Sequence, residues 1–300
     1  RRTLLGDEVA IKIVRGEHGG SGPRDRFFRE SRASARLRHP HIVSILDFNV
    51  DDEDHPFLVM ELLNGPSMKD ELAAKGRMSL AEVQAIVPSL CAALQFAHDL
   101  GIVHRDLKPA NIVAHEFAPG QRVYKVVDFG LANLRETQET RLTGPHEFLG
   151  TVAYASPEQL TGAVVDARSD VYSLGAVVFE MLTGRVPFGG PDAMAMLTAR
   201  LNATAPKLSE TLADIPAWVD IAVSRALARD PEERWSSIAD LGQALLAGAG
   251  GSTTVIRSGA ARGGLLATYD LGERIGRGRL ESVVYRGTHR ALGHPVAIRL

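Results

Sequence analysis

Short apolar runs and one helical stretch alternate along the first sixty residues, and helical patterns dominate thereafter. Val9 to Val14 and Phe57 to Leu62 have the length and bulk of strands. Arg24 to Leu37 is charged, lacks internal Pro and Gly, and predicts a helix. Ser79 is placed to cap a helix that carries Val83, Ile86, Leu90 and Leu94 on one face and closes at Gly101. Pro88 lies inside that stretch and predicts a kink. Further helices are expected at about 168–183, 216–228 and 236–247, the last two separated by the breaker Asp230-Pro231. The pattern is a small strand-rich part followed by a larger helical one.

A repeat sets the domain organisation. Leu5-Gly6-Asp7-Glu8-Val9-Ala10-Ile11-Lys12 recurs as Leu292-Gly293-His294-Pro295-Val296-Ala297-Ile298-Arg299, 287 residues later. That separation is the size of a domain plus a linker, not of a solenoid repeat. The chain is therefore expected to run from inside one copy (1–247) through a linker (248–267) into the start of a second, truncated copy (268–300). Ala247-Gly248-Ala249-Gly250-Gly251-Ser252 and Gly259 to Gly264 supply the small, flexible composition of the linker. Arg1-Arg2-Thr3 begins neither with Met nor with a signal-peptide pattern and reads as a cut end.

Composition narrows the function classes. A hydrophobic content of 45% excludes global disorder. Charges nearly cancel, 34 basic against 36 acidic, so no overall positive field exists for a nucleic-acid partner. No apolar run is read as approaching the ~18 residues of a membrane span. Cys91 is the single cysteine and has no partner for a disulfide or at metal-ligand spacing, which points to a reducing, cytoplasmic compartment. A membrane anchor elsewhere in a parent polypeptide is compatible with that.

Candidate chemistry concentrates in His104-Arg105-Asp106-Leu107-Lys108-Pro109-Ala110-Asn111, followed by Asp128-Phe129-Gly130 after the apolar stretch Val123 to Val127. Two Asp and one Asn on loops between strands can give oxygen ligands to Mg²⁺ and leave one carboxylate for an incoming hydroxyl, as phosphoryl transfer requires. Each turn alone would be an ordinary polar loop. Both together, in this order, are not.

On these motifs the chain resembles the bacterial Hanks-type serine/threonine protein kinases over nearly all of residues 3–247. The resemblance implies an α+β, two-lobed fold: a small antiparallel-sheet lobe with one helix, a mainly helical large lobe, and ATP in the cleft between them. It implies that Asp106 is the catalytic base, that Lys108 lies beside the transferred phosphate, and that Asn111 and Asp128 hold Mg²⁺. Val9-Ala10-Ile11-Lys12 matches the family's Lys strand, so Lys12 is expected on the α- and β-phosphates, paired with Glu30. Met60 takes the gatekeeper position, and the backbone of Glu61 and Leu62 is expected at the adenine edge. Taken alone, Lys12 and Glu30 would be solvated charges and Met60 core filler; motif order decides otherwise. Gly150-Thr151 and Ser156-Pro157-Glu158 resemble the end of an activation segment, with Ser156 replacing the more familiar Ala. Glu158 is expected to pair with Arg234, and Asp170 to brace the catalytic loop. Thr137, Thr140, Thr143 and Thr151 are candidate phosphorylation sites, with Arg105 as the arginine that would bind the phosphate.

The resemblance also has gaps. The first copy carries no glycine-rich hairpin ahead of its Lys strand, where bare backbone N–H groups would approach phosphates. Such an element appears in the second copy, where Gly276 and Gly278 fit, Glu281 stands in place of the third glycine, and Arg299 replaces the Lys. That copy resembles the opening of a pseudokinase. Residues 268–287 either begin an independent domain, the preferred reading, or fold back onto the first copy's sheet edge; a linker of about 20 residues reaches ~25 Å as a random coil. Ser34, one turn after Glu30, stands where the family has a large apolar residue and is expected to weaken the helix contact. The expected function is Mg²⁺-dependent transfer of the ATP γ-phosphoryl group to Ser or Thr of protein substrates, in signalling. A second kinase copy is a candidate partner. The competing class is a kinase-shaped scaffold without catalysis. Ser156-Pro157-Glu158 disfavours small-molecule phosphotransferases.

Overall fold

Bulky residues at strand spacing build the first sheet from Val9–Ile13 (β1), Ile45–Val50 (β2) and Pro56–Glu61 (β3), antiparallel in the order β1-β3-β2. The computed structural model describes residues 8–13, 21–52, 55–129, 152–190, 192–246, 269–277, 283–289 and 295–299. Leu58 on the central strand is fully buried against Phe27 of helix α1 (Ser21–Ser34), with Phe28, Ile45, Phe48 and Met60 around them. α1 starts three residues earlier than its charge pattern suggests, because a proline at position 23 is tolerated in a first helical turn. It stops at Ser34, where the N–H groups of Arg36 and Leu37 close tighter turns onto the carbonyls of Ala33 and Ser34 (3.1 and 3.0 Å).

The larger part contains α2 (Met68–Lys75), α3 (Leu80–Asp99), β4 (Ile112–Ala118), β5 (Gln121–Val126), α4 (Pro157–Thr161), α5 (Ala167–Thr183), α6 (Ala193–Asn202), α7 (Ala217–Ala226) and α8 (Ile238–Leu246). Ser79 caps α3, and Glu82 returns the bond to the Ser79 backbone, so two otherwise unpaired donors are satisfied at once. Val83, Ile86, Leu90 and Leu94 form its buried face. Pro88 is exposed, so water can take the carbonyl that its missing N–H leaves free, and the helix runs through it. Among the described residues, α3 is the one helix long and apolar enough to cross a membrane, contrary to the expectation that no run reaches that length. The reason is that Glu82 and Asp99 are its only acidic residues and it has no Lys or Arg; its apolar face is core of the lobe.

α5 is the centre of that core. Every residue from Ser169 to Phe179 is buried, the pattern of a helix covered on all sides, and α3, α7 and α8 pack around it. Gly242 lets α8 approach α3 closely, since a Cβ there would lie 2.8 Å from Cys91 Sγ. Burial pushes the Cys91 thiol up to about 12. α2 and α6 have no counterpart in the hydrophobic pattern. α2 has only 8 residues, the apolar residues of α6 form one unbroken run from Ala193 to Leu197 that hides helical spacing, and local caps mark both instead: Ser67 with Asp70, and Asp192.

The chain divides into two units, Arg1–Ala249 and Gly250–Leu300. In the second, Tyr269–Arg277 (β6), Val283–His289 (β7) and Pro295–Arg299 (β8) form their own antiparallel sheet in that order. Gly276 and Arg299 both register opposite Val284. Gly278 and Glu281 lie outside the described residues.

One buried ion pair ties the end of the helical part to α4. Arg234 is 1% exposed and donates through both terminal nitrogens to the two oxygens of Glu158, each at 2.7 Å. Its remaining N–H groups reach the carbonyls of Ala228, Arg168 and Arg229. Burial pushes the Glu158 carboxyl up, but Arg234 and the Ser169 hydroxyl outweigh it and hold the group below its usual range. Glu158→Ala leaves a buried guanidinium without its counter-ion and is expected to cost about 3–5 kcal/mol in urea unfolding. A loss under about 1 kcal/mol, the value of an exposed pair, would show that the pair anchors nothing.

Candidate active site

After α3 the chain crosses to β4 through residues 104–111, and a side chain of α5 holds that crossing in place. Asp170 Oδ2 accepts from the His104 N–H at 2.8 Å and lies 2.7 Å from His98 Nε2, while Oδ1 accepts from the Arg105 N–H at 2.9 Å. Burial pushes this fully buried carboxyl up; His98 and His104, by hydrogen bonds and charge, outweigh that and hold it below the usual carboxylate range. Arg105 takes φ 66°, a left-handed conformation that costs a residue with a β-carbon about 1 kcal/mol or more. Its carbonyl is fixed too, accepting from Gln159 Nε2 of α4 at 2.6 Å.

Within the loop, Lys108 Nζ lies 2.9 Å from Asp106 Oδ1. Asn111, at the end of the single-turn 3₁₀ helix Pro109–Asn111, donates from Nδ2 to the Asp106 carbonyl (2.7 Å) and to Asp106 Oδ2 (3.2 Å). The amide nitrogen is thus committed to Asp106, and the amide oxygen is the end left for a cation. His104 Nδ1 accepts from the Asp106 N–H at 3.2 Å, so Nε2 carries the proton and donates to the Val127 carbonyl at 2.9 Å.

The second turn is locked to the first. The Val127 N–H donates to the Asn111 carbonyl at 2.9 Å, and Phe129 packs edge-on against the His104 ring, centroids 4.6 Å apart. Asp128 takes φ 65°; with Arg105 it makes the pair of non-glycine left-handed residues among those described, one in each turn. Asp128 Oδ2 lies 2.6 Å from Lys12 Nζ on β1.

That contact differs from the expected one. Lys12 makes an ion pair with Asp128, while Glu30, the expected partner, lies half-buried on α1. The tie between α1 and this region comes from Ser34, whose buried hydroxyl donates to the Phe129 carbonyl at 2.8 Å and so keeps the Asp128 turn beside β1. Ser34 also leaves a gap: with Leu58, Met60, Asp128 and Phe129 it lines a cavity of ≈ 20 Å³, about the room of one water.

β3 leads into the segment that joins the two parts. Glu61 turns its side chain away to accept from the Ser44 N–H and from Lys125 Nζ, both at 2.7 Å. Burial pushes its carboxyl up, and Lys125 and Ser44 more than reverse that. Leu62 is exposed. Asn64 and Pro66 give their carbonyls to the N–H groups of Glu116 and Ala114 (2.7 and 2.9 Å). Between them, at φ 145°, a Cβ on Gly65 would fall 1.9 Å from the Ala114 carbonyl oxygen, so glycine alone fits the strap.

No group of three or more His, Cys, Asp or Glu is gathered for a metal among the described residues. Asn111 and Asp128 form an all-oxygen pair instead, a donor set that suits Mg²⁺ when phosphates and water complete its shell. Thr137, Thr140, Thr143 and Thr151 lie outside the described residues.

A family model, the protein kinase domain, matches residues 2–245. The chain belongs to the protein kinase family. This kinase domain is similar to the probable serine/threonine-protein kinase PknB of Bifidobacterium longum, 35% identical over 247 residues, covering 79% of the chain and 35% of that protein. It is similar to PrkC of Bacillus subtilis (36% over 239 residues; 79% and 36% covered) and PknL of Mycobacterium tuberculosis (38% over 235 residues; 78% and 57% covered). The chain spans about a third of the length of the first two relatives and just over half of the third. Among solved structures it is similar to the Mycobacterium tuberculosis PknI kinase domain, with TM-score 0.64 and 28% identity over 82% of this chain and 88% of that one. The Rad53 kinase domain with SCD2, crystallised with AMPPNP, gives TM-score 0.59 and 25% identity over 80% and 81%.

Two parts of the site in this kinase domain escaped sequence reasoning. His98 had a signal, four residues after Leu94 on the buried face of α3. Gln159 had one as the third residue after the cap Ser156. Asp170 carries a pH consequence. Its carboxyl is depressed in the fold, so its stabilisation is fully present above the ordinary value near pH ~4 and is lost as pH falls through the folded value. The stability gap between the native chain and Asp170→Asn is therefore expected to shrink in urea titrations as pH drops from ~5 towards ~3. A gap constant across that range would contradict the assignment.

Proposed function

We propose that this kinase domain transfers the γ-phosphoryl group of ATP to Ser or Thr hydroxyls of protein substrates, with Mg²⁺, in a cytoplasmic signalling role. The observation that carries the reading is the junction of two strained turns, one bearing Asp106, Lys108 and Asn111 and the other Asp128, bonded through Val127 and reached by Lys12. Asp106 orients the acceptor hydroxyl and takes its proton. Lys108, beside Asp106, offsets charge on the transferred group. Asn111 and Asp128 are the oxygen donors for Mg²⁺, which when bound neutralises phosphate charge. Lys12 is the cation for the nucleotide phosphates, and the 61–62 backbone the edge for adenine behind Met60. Relatives named serine/threonine-protein kinases support the acceptor type, and a neighbour crystallised with AMPPNP supports the nucleotide.

Asp106→Asn is expected to lower phosphotransfer to a generic protein substrate by about 10²–10⁴-fold with ATP binding retained. Equal rates would remove the catalytic assignment. In the same incubation with Mg-ATP, mass spectrometry is expected to find phosphate on at least one of Thr137, Thr140, Thr143 and Thr151 in the native chain and none in the variant. Phosphate there would offer Arg105 a charged partner that orders the segment and raises activity.

Residues 248–267 are read as a linker and 268–300 as the opening of a second, degenerate kinase-like domain. The β6-β7-β8 sheet, with Gly276 and Arg299 across Val284, supports this. Removal of 265–300 is expected to leave melting temperature and ATP affinity unchanged. A clear drop in both would assign those strands to the first unit.

A further inference from the structure

A buried cation with no carboxylate on it among the described residues lies beneath the segment that leads into Ser156. Arg200 on α6 is 1% exposed. One terminal nitrogen donates to the carbonyls of Val152 (2.7 Å) and Ala155 (2.6 Å), and the other donates to that of Ala153. Its Nε has no hydrogen-bond partner, and its guanidinium sits 5.6 and 5.5 Å from the Tyr172 and Phe188 ring centroids. The intervening carbonyl, that of Tyr154, accepts from the Ser173 hydroxyl of α5 at 2.9 Å, and the Tyr154 hydroxyl donates to Glu180 at 2.5 Å. Consecutive carbonyls from 152 to 155 are thus all turned into the lobe and held by side chains of α5 and α6.

An apolar side chain of similar volume would fill the space under α6 without burying a charge. What it would not supply is a rigid, planar set of donors that fixes several peptide units together. The units it fixes stand next to the candidate catalytic loop: Ser156 opens α4, and Gln159 of α4 holds the carbonyl of Arg105, the neighbour of Asp106. Tyr154 and Ala155 are partly buried rather than sealed, so the segment has an outer surface as well as an anchored inner one. A polypeptide that brings a hydroxyl to Asp106 has that surface within reach, since α4 joins it to the loop.

We infer that Arg200 is a positioning residue for the polypeptide acceptor. It holds the 152–155 backbone in the shape against which residues flanking the acceptor Ser or Thr dock, and it touches neither nucleotide nor transferred phosphate. This rests on the phosphotransfer reading above, and the measurements separate the two. The full chain, Arg200→Met and Arg200→Lys are compared with dephosphorylated casein as acceptor. Arg200→Met is expected to raise KM for casein about tenfold and to leave KM for ATP within about twofold, with partial recovery in Arg200→Lys. Amide hydrogen exchange is expected to quicken in 152–156 and not in α3 or α8. Unchanged KM for casein together with unchanged exchange at 152–156 overturns the inference, as does a parallel rise of both KM values with faster exchange throughout, the mark of a loosened fold. If the native chain transfers no more than Asp106→Asn, the phosphotransfer reading fails. Exchange at 152–156 then decides alone, unchanged exchange overturning the hold of Arg200 and faster exchange supporting it.

Discussion

A carboxylate with no access to water needs donors, and Asp170 finds them in the backbone of the loop that carries the candidate chemistry. Removing an ionised group from solvent is so unfavourable that every bond to it becomes a strong geometric demand. Here the demand falls on the N–H groups of His104 and Arg105 and on His98. Because Asp170 is rooted in α5, buried along most of its length, the loop inherits the rigidity of the densest part of the core. The left-handed turn at Arg105 persists for the same reason, being over-determined from both sides of the peptide.

From that anchor the order spreads outward one polar contact at a time. Asn111 fixes Asp106 and receives Val127, Val127 carries Asp128, and Asp128 meets Lys12 of the small sheet. Ser34 to Phe129, Val43 to Val126 and Glu61 to Lys125 add to the seam between sheet and helices. Apolar contact joins them too: Leu37 and Ile42, between α1 and β2, belong to the large core, while the small sheet keeps its own cluster around Phe27 and Leu58. The Gly65 strap closes the seam on its other side, through the carbonyls of Asn64 and Pro66.

The legibility of this molecule in its sequence follows the range of the interactions involved. α3 was readable because its apolar spacing and its Ser79 cap are local, and the two turns were readable because their residues are contiguous strings. α2 and α6 were not, the first being barely two turns long and the second carrying its apolar residues in one unbroken run from Ala193 to Leu197. The contact of Lys12 with Asp128 was not either: the two are distant in the chain, and a hydroxyl at position 34 pins the Asp128 turn beside β1. Arg200 was invisible for a further reason. Its acceptors are main-chain carbonyls 45 to 48 residues away, and main-chain carbonyls have no letter in the sequence. The pattern of side chains announces contacts between side chains far better than contacts with the backbone.

The close approach of α3 and α8 at Gly242 has a practical outcome. The chain's single thiol lies sealed between two core helices, protonated at any ordinary pH. Alkylating reagents can reach it only when those helices separate, so the rate of labelling counts openings of the large lobe. The molecule carries its own clock for that event, with no background from other cysteines.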